Sequence, residues 1–136
     1  MTTRPLTIGS LFSGIGGLEL GLEAGLMSAG YPAHTIWQVE KNDYCRAVLA
    51  RHWPHSQRFD DVTTLDASSV PTPDIVCGGF PCQDISTAGT KEGLHGARSS
   101  LFYEMARIVR QLRPRVWVME NVPEVVNRGL PDILAE

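Results

Sequence analysis

The length, composition and charge of this chain are those of one soluble globular domain. It has 136 residues, of which 43% are hydrophobic and 20% charged, and its formal net charge is −3. This length is enough for one domain with a sizeable core, and no apolar run approaches the roughly 18 residues of a transmembrane helix. Since phosphate contacts require Lys and Arg, the negative charge indicates that the main nucleic-acid surface, if there is one, lies outside these residues.

The N-terminus and the cysteines predict a cytoplasmic protein. Residues 1–5 carry one charge and no apolar segment follows them, so they do not form a secretory signal. The cysteine count is odd, which is typical of free thiols in a reducing compartment: Cys45, Cys77 and Cys82. Four residues separate Cys77 from Cys82, so the chain lacks a C-x-x-C motif there, and we predict no metal site.

Predicted strands and helices alternate along the chain. Short apolar runs predict strands at 6–12, 35–39, 57–59, 74–78 and 116–120. Apolar residues at helical spacing predict helices at 17–26, from Asn42 or Asp43 to before Pro54, and from Ser99 or Ser100 to Leu112. This alternation predicts an α/β fold with a parallel sheet, and right-handed crossovers make the sheet doubly wound. Residues 79–98 lack periodicity, which predicts a long loop.

The second and third predicted helices each have an expected inward side. For the second helix we expect the inward residues to be Tyr44, Ala47, Val48 and His52. For the third we expect Leu101, Met105, Ile108, Val109 and Leu112. Four arginines are interpreted as the polar face of the third helix and the residues directly after it, and not as a DNA-binding stripe. They are Arg107, Arg110, Arg113 and Arg115.

Several candidate motifs follow predicted strands directly. In doubly wound sheets, ligands bind outside the carboxyl ends of the strands. The segments at those ends are Phe12–Gly17, Glu40, Asp61, Phe80–Gln83 and Glu120–Val122. We therefore expect all five to meet at one edge of the sheet.

The first three segments indicate a cofactor site. A Gly-rich turn allows close approach of backbone to a ligand, and Glu40 at the end of the next strand can accept hydrogen bonds from ribose hydroxyls. Asp61 can accept from an adenine amino group. Glu19 occupies the position of the third glycine of a dinucleotide motif, where it would repel a pyrophosphate, so a nucleoside without phosphates is favoured over NAD. Taken singly, the turn is equally explained as structural and the carboxylates as surface groups.

The last two segments indicate chemistry on an electron-poor ring. The thiolate of Cys82 would attack the ring, and Glu120 would offset charge or supply a proton at a ring nitrogen. A buried setting for Glu120 would favour its neutral form. Cys77, within a strand, is interpreted as a buried apolar residue.

Three of these blocks together resemble the signature motifs of cytosine-C5 DNA methyltransferases, in both order and spacing. They are Phe12-Ser13-Gly14-Ile15-Gly16-Gly17, Pro81-Cys82-Gln83 and Glu120-Asn121-Val122. The resemblance implies a Rossmann-like fold that binds S-adenosyl-L-methionine and transfers its methyl group to C5 of cytosine in double-stranded DNA. It also implies a Cys82 adduct at C6 of a base flipped out of the helix.

The resemblance also assigns individual roles. The implied catalytic residues are Pro81, Cys82, Gln83, Glu120 and Asn121. The implied cofactor-binding residues are Phe12, Ser13, Gly14, Ile15, Gly16, Gly17, Glu40, Lys41, Asp61, Val62 and Leu101. Lys41 departs from the apolar or aromatic residue usual at its position, and its methylene stem would have to cover the adenine instead. Asp60 stands where the family often has Gly.

Members of this family carry further segments after the Glu-Asn-Val block. We therefore interpret residues 1–136 as the N-terminal part of the catalytic, cofactor-binding domain, without a target-recognition domain. Such a chain alone is expected not to methylate DNA, and a C-terminal segment or a second chain would complete the fold. Methylation of tRNA cytosine and a non-catalytic half of a split enzyme remain alternatives, and a restriction–modification or regulatory role of this bacterial or phage type of protein is left open.

Overall fold

A computed structural model describes residues 4–81, 100–123 and 135 of the chain. Its strands are β1 (Leu6–Leu11), β2 (Ala33–Val39), β3 (Gln57–Phe59), β4 (Ile75–Gly78) and β5 (Val116–Met119). Its helices are α1 (Gly17–Ser28), α2 (Asp43–His52) and α3 (Ser100–Leu112), with a short 3₁₀ turn at Ala67–Ser69. The predicted order of elements is confirmed, with shifts of a few residues at their ends.

The strands form one parallel sheet in the order β3-β2-β1-β4-β5. The chain runs outward from β1 through β2 to β3 and then returns to place β4 on the other side of β1. The order therefore reverses between β1 and β4, and this is where a doubly wound sheet opens a crevice at its carboxyl edge. The α/β fold with a parallel sheet is confirmed.

Helices cover both faces of the sheet. On one face Leu18, Leu22 and Leu26 of α1 pack around Ile8 and Cys77. On the other face α3 packs against Trp37 and Val76. Because successive residues of a strand point to opposite faces, neighbours such as Val76 and Cys77 enter different layers. The doubly wound arrangement is thus confirmed by its two separate cores.

One close approach fixes the second core. The ring of Trp37 is fully buried and lies on Gly9 of β1, where a Cβ atom would be 2.1 Å from the ring. The indole N–H donates to the carbonyl of Pro71 at 3.0 Å, so the polar edge of this ring is satisfied. Any larger residue at position 9 would displace Trp37.

The expected inward face of α2 was wrong at three of its four residues. Tyr44 is 75% exposed, Ala47 and His52 also face solvent, and Val48 is partly buried. Leu49 is the fully buried residue of this helix, and with Trp53, one turn later, it packs on Gly16. The predicted face was rotated because Tyr44 was counted as apolar, whereas its phenol ring extends into solvent.

The expected inward face of α3 is confirmed at its centre. Met105, Ile108 and Leu112 are buried. Leu101 and Val109 are partly buried and pack against the same core. Phe102 was missed, although it is fully buried and contacts the ring of Phe80 at 5.4 Å between centroids. No helix among the described residues is long and apolar enough to cross a membrane.

Candidate active site

Two adjoining cavities open at the carboxyl edge of the sheet. The first, here called the β2–β3 cavity, has a volume of about 320 Å³ and is lined by Phe12, Val39, Glu40, Lys41, Asp60, Asp61, Val62, Thr63, Gly79, Pro81 and Leu101. The second, the β1–β4 cavity, has a volume of about 390 Å³ and is lined by Ser10, Leu11, Phe12, Ser13, Gly17, Leu18, Glu19, Gly78, Gly79 and Glu120. Phe12 and Gly79 line both, so the two cavities meet between these residues.

The structure brings together most of the residues predicted for a site. Phe12, Glu40, Lys41, Asp61, Val62, Leu101 and Pro81 line the β2–β3 cavity, while Ser13, Gly17 and Glu120 line the β1–β4 cavity. Gly14, Ile15 and Gly16 line neither, and Ile15 is 60% exposed. Cys82 and Gln83 lie outside the described residues, as does most of the predicted loop.

The turn between β1 and α1 has an unusual backbone. Phe12, Gly14 and Gly16 all have positive φ angles, of 54°, 56° and 93°. For Phe12 this conformation is uncommon, and it accompanies a ring that borders both cavities. Only glycine fits at position 16, because a Cβ atom there would lie 2.3 Å from the ring of Trp53.

The N-terminus of α1 is open towards the β1–β4 cavity. Gly16 is the N-cap, and it provides no side-chain capping hydrogen bond. The first N–H groups of a helix have no partner within the helix, and together with the helix dipole they attract anionic groups. Gly17 and Leu18 of this first turn line the cavity.

Glu40 holds the Gly-rich turn in place. One carboxylate oxygen accepts the N–H of Gly14 at 2.7 Å, and the other accepts the N–H of Asn42 at 2.8 Å. The backbone N–H of Glu40 donates to Phe59 at 3.0 Å, which joins this position to the end of β3. Each carboxylate oxygen can still accept another hydrogen bond, so Glu40 can support the turn and bind a ligand together.

Asp61 is fixed by the residues that follow it. Its Oδ1 accepts the backbone N–H of Thr63 at 2.9 Å and the hydroxyl of the same residue at 2.8 Å. These bonds lower the pKa of Asp61, with a smaller contribution from the charge of Lys41. The Lys41 amine lies 3.8 Å from Oδ2 of Asp61, and its side chain is 85% exposed.

Glu120 lies where β5 meets the end of β4. Its N–H donates to Gly78 at 3.0 Å, and a Cβ at Gly79 would be 2.5 Å from its Oε2. Glu120 is exposed in this chain, so the expected buried setting is not met by the described residues. Asn121 is turned to the neighbouring loop, where its amide nitrogen lies 3.5 Å from the carbonyl of Phe80. The end of β5 is thereby attached to the backbone that leads through Pro81 to Cys82.

Cys77 is unsuited to nucleophilic chemistry. It is fully buried, and burial, followed by the charge of Glu19, raises the pKa of its thiol to about 12. At neutral pH this thiol is protonated, and only the thiolate is strongly nucleophilic. The interpretation of Cys77 as a buried core residue is consistent with this setting.

The burial of Glu19 was not predicted from the sequence. This residue was noticed only as a group unfavourable for phosphates, but it is fully buried and lines the β1–β4 cavity. The available signal was its position in the first turn of α1, directly after the Gly-rich segment. Among the described residues there is no cluster of three or more potential metal ligands.

Solved structures share this architecture. The structure of the Entamoeba histolytica methyltransferase EhMeth matches 98% of this chain with a TM-score of 0.74 and 16% identity, over 43% of that protein. A mutant of Spodoptera frugiperda DNMT2 matches 96% of this chain with a TM-score of 0.69 and 21% identity, over 39% of that protein. At these identities the likeness establishes the fold.

Curated relatives are closer in sequence. The chain is 38% identical over 112 residues to the type II methyltransferase M.HhaI of Haemophilus parahaemolyticus, covering 82% of this chain and 32% of that enzyme. It is also 38% identical over 126 residues to M2.BsuMI of Bacillus subtilis, covering 88% of this chain and 30% of that enzyme. The chain thus spans about a third of the length of these relatives. The profile of the family described as C-5 cytosine-specific DNA methylase matches residues 6–134, and the chain belongs to that family.

Proposed function

We propose that this protein transfers a methyl group from S-adenosyl-L-methionine to C5 of cytosine in double-stranded DNA. The observation that carries the proposal is the pair of neighbouring cavities, with Glu120 lining one and Pro81, the residue before Cys82, lining the other. Membership of the cytosine-C5 family supports the reaction type. The chain spans about a third of the length of its relatives, so the activity is proposed for the protein at its natural length.

The β2–β3 cavity suits the adenosine part of the cofactor. Phe12, Val62 and Leu101 would provide apolar walls for the adenine ring, and Lys41 lines the same cavity. Glu40 would accept hydrogen bonds from the ribose hydroxyls through the lone pairs that Gly14 and Asn42 leave free. Asp61 would accept from the adenine amino group through Oδ2, the oxygen that does not bind Thr63.

The β1–β4 cavity suits the amino-acid tail. The open N-terminus of α1 would bind the tail carboxylate through backbone N–H groups. When bound, S-adenosyl-L-methionine supplies a methyl group made electrophilic by its sulfonium. The two cavities meet at Phe12 and Gly79, beside Glu120, so nucleoside, tail and reacting centre would all adjoin the same edge.

The residues of the chain would activate the cytosine. The Cys82 thiolate would add to C6, and Glu120 would donate a hydrogen bond or a proton to N3, which makes C5 nucleophilic. After C5 is methylated, a water molecule would take the C5 proton, the C5–C6 double bond would re-form, and Cys82 would leave as a thiolate, with any proton on N3 returning to Glu120. The target base must leave the DNA stack to reach such a residue, so base flipping is part of the proposal.

The role of Cys82 is tested by covalent trapping on DNA that contains 5-fluorocytosine. Fluorine at C5 cannot be removed as a proton is, so the adduct persists and migrates as a protein–DNA complex on a denaturing gel. We expect trapping by the wild type and by Cys45→Ser, a matched control at a half-buried thiol of α2. We expect none with Cys82→Ala, and undiminished trapping by this variant would contradict the nucleophile assignment.

A competition assay separates the DNA reaction from its closest alternative. Labelled methyl groups should enter duplex DNA, and an excess of unlabelled tRNA should leave that incorporation nearly unchanged. Preferential labelling of tRNA would retain the chemistry but replace the substrate. Binding of the cofactor without labelling of either nucleic acid would favour the non-catalytic alternative.

A further inference from the structure

Glu19 is a buried carboxyl group for which the described residues provide no partner. Its side chain is fully buried, and neither carboxyl oxygen has a hydrogen-bond partner within residues 4–81, 100–123 and 135. Nor does any salt bridge of this part of the chain include it. A buried carboxylate left unpaired is costly, so a group with these surroundings indicates a partner that is not a described part of the protein.

The neighbouring carboxylate on the same helix shows the contrast. Glu23, one turn later in α1, accepts hydrogen bonds from the N–H and the hydroxyl of Thr35, at 2.8 and 2.6 Å. It also accepts from the indole of Trp53 at 3.1 Å. Glu23 therefore joins α1 to β2 and to the end of α2, and its role is structural. Glu19 makes no such bond to any residue that the structure describes.

The position of Glu19 identifies the kind of partner. Its residue lines the β1–β4 cavity together with Ser10 and Ser13, whose hydroxyl groups hydrogen-bond each other at 2.9 Å. The same cavity contains the uncapped first turn of α1, which attracts a carboxylate. A cavity with an anion-binding helix end and a buried carboxylate is complementary to a zwitterion that carries both an ammonium and a carboxylate.

We propose that Glu19 binds the α-ammonium group of the methionine part of S-adenosyl-L-methionine. This inference rests on the proposed function and adds a recognition residue to it. The ammonium would donate charge-assisted hydrogen bonds to the Glu19 carboxylate, while the helix end binds the α-carboxylate. Glu19 would then select a cofactor with a free amino-acid tail and would reject anionic groups such as a pyrophosphate.

The test compares three ligands by calorimetric titration of the protein at its natural length. S-adenosylhomocysteine has the complete tail, its deamino analogue has hydrogen in place of the α-amino group, and 5′-methylthioadenosine lacks the amino-acid part. We expect Glu19→Gln to weaken binding of S-adenosylhomocysteine by about 10- to 100-fold. The affinities for the other two ligands should change by less than about twofold, because neither ligand offers an ammonium.

Glu23→Gln is the matched control, with the same chemical change on the same helix. It should lower the melting temperature of the ligand-free protein, because it weakens bonds to Thr35 and Trp53, and it should retain the wild-type preference for the amino group. Glu19→Gln should melt at or above the wild-type temperature, because it replaces a buried carboxyl group that has no partner among the described residues. A lower melting temperature for Glu19→Gln without ligand would assign Glu19 a structural role and overturn the inference.

The remaining outcomes are also decisive. If Glu19→Gln binds S-adenosylhomocysteine as the wild type does, the inference is wrong while the proposed function stands. Equal weakening for all three ligands would show a general disturbance of the site and would also overturn it. If the wild type binds none of the three adenosine compounds, the proposed function fails and this inference fails with it.

Discussion

Buried carboxyl groups at the two edges of the sheet differ in their hydrogen bonding. At the amino edge, Asp74 is 5% exposed and both of its oxygens are bound: Arg4 donates to each at 2.7 Å, and Thr7 adds two further bonds. At the carboxyl edge, Glu19 is fully buried and neither oxygen has a partner among the described residues. The difference indicates that the amino edge is built for stability, whereas the carboxyl edge keeps polar groups available for ligands.

Backbone contacts follow the same division. The carbonyl of Asp74 accepts the N–H groups of Arg115 and Val116, at 2.9 and 3.1 Å, so this residue joins the starts of β1, β4 and β5. Positive φ angles do not follow this division, because they occur at Phe12, Gly14 and Gly16 on the carboxyl side and at Gly30 and Arg113 on the amino side.

The largest effect on turnover among site variants with an intact nucleophile is expected from Glu120→Gln. If Glu120 acts on N3 of cytosine, its loss should lower kcat by about 10²- to 10⁴-fold. Because Glu120 is exposed, the melting temperature should change little. Steady-state kinetics together with thermal unfolding check both parts, and a variant with near wild-type kcat would remove Glu120 from the chemistry.

A smaller loss is expected from Gly79→Ala. The added methyl group would lie 2.5 Å from Oε2 of Glu120 and would push that carboxylate aside. A displacement of about 1 Å in an active site can lower turnover by about 10²-fold. Gly21→Ala is the matched control, since a Cβ there has no atom within 4 Å. It lies within α1, so it should stabilise the protein by about 0.5–1 kcal/mol without affecting kcat.

Glu40→Gln should act on cofactor affinity rather than on turnover. The amide can accept through only one of its two polar atoms, so it cannot hold Gly14, Asn42 and the ribose as the carboxylate would. We expect binding of S-adenosylhomocysteine to weaken about tenfold, with kcat at saturating cofactor nearly unchanged. Unaltered affinity in a calorimetric titration would remove Glu40 from the ribose site.

Asp74→Asn should leave turnover unaffected and should lower stability instead. It replaces a buried carboxylate that binds Arg4 and Thr7, which should cost about 2 kcal/mol in the free energy of unfolding. Arg4 and Thr7 hold the pKa of Asp74 well below its usual range. The stabilisation is therefore complete above the unfolded-state pKa of about 3.9 and is lost as the pH falls below it.

Urea unfolding of both proteins across this pH range provides the check. The difference in unfolding free energy between wild type and Asp74→Asn should be constant near neutral pH and should shrink below a pH of about 4. A difference that does not change with pH would mean that the charge of Asp74 does not contribute. A reduced kcat for Asp74→Asn in fully folded samples would contradict the division between the two edges.

Local sequence patterns were sufficient to predict the sheet and the grouping of Glu40 and Asp61 at its carboxyl edge. The alternation of strands and helices, with the handedness of crossovers, predicts the doubly wound arrangement that is observed. Strand β3 was predicted with the observed bounds, Gln57–Phe59. The position of Glu40 and Asp61 in one cavity followed from the rule that carboxyl ends of parallel strands lie together.

Contacts between distant residues were beyond such patterns. The inward face of α2 depends on Gly16. The side chains of Leu49 and Trp53 pack on this glycine, although α2 begins many residues later in the sequence. The burial of Phe102 depends on Phe80 and Trp117. The two backbone bonds of Glu40 and the burial of Glu19 likewise arise from tertiary packing, and neither has a periodic signal in the sequence.

The position of the transferred methyl group distinguishes methylation at cytosine C5 from methylation at other positions of DNA. The protein at its natural length would be incubated with duplex DNA and S-adenosyl-L-methionine labelled in its methyl group, and the DNA then digested to nucleosides and separated by chromatography. We expect the label to elute as 5-methylcytosine and to be lost with Cys82→Ala. Label in N4-methylcytosine or N6-methyladenine would contradict this expectation, because neither product requires a thiolate adduct at C6.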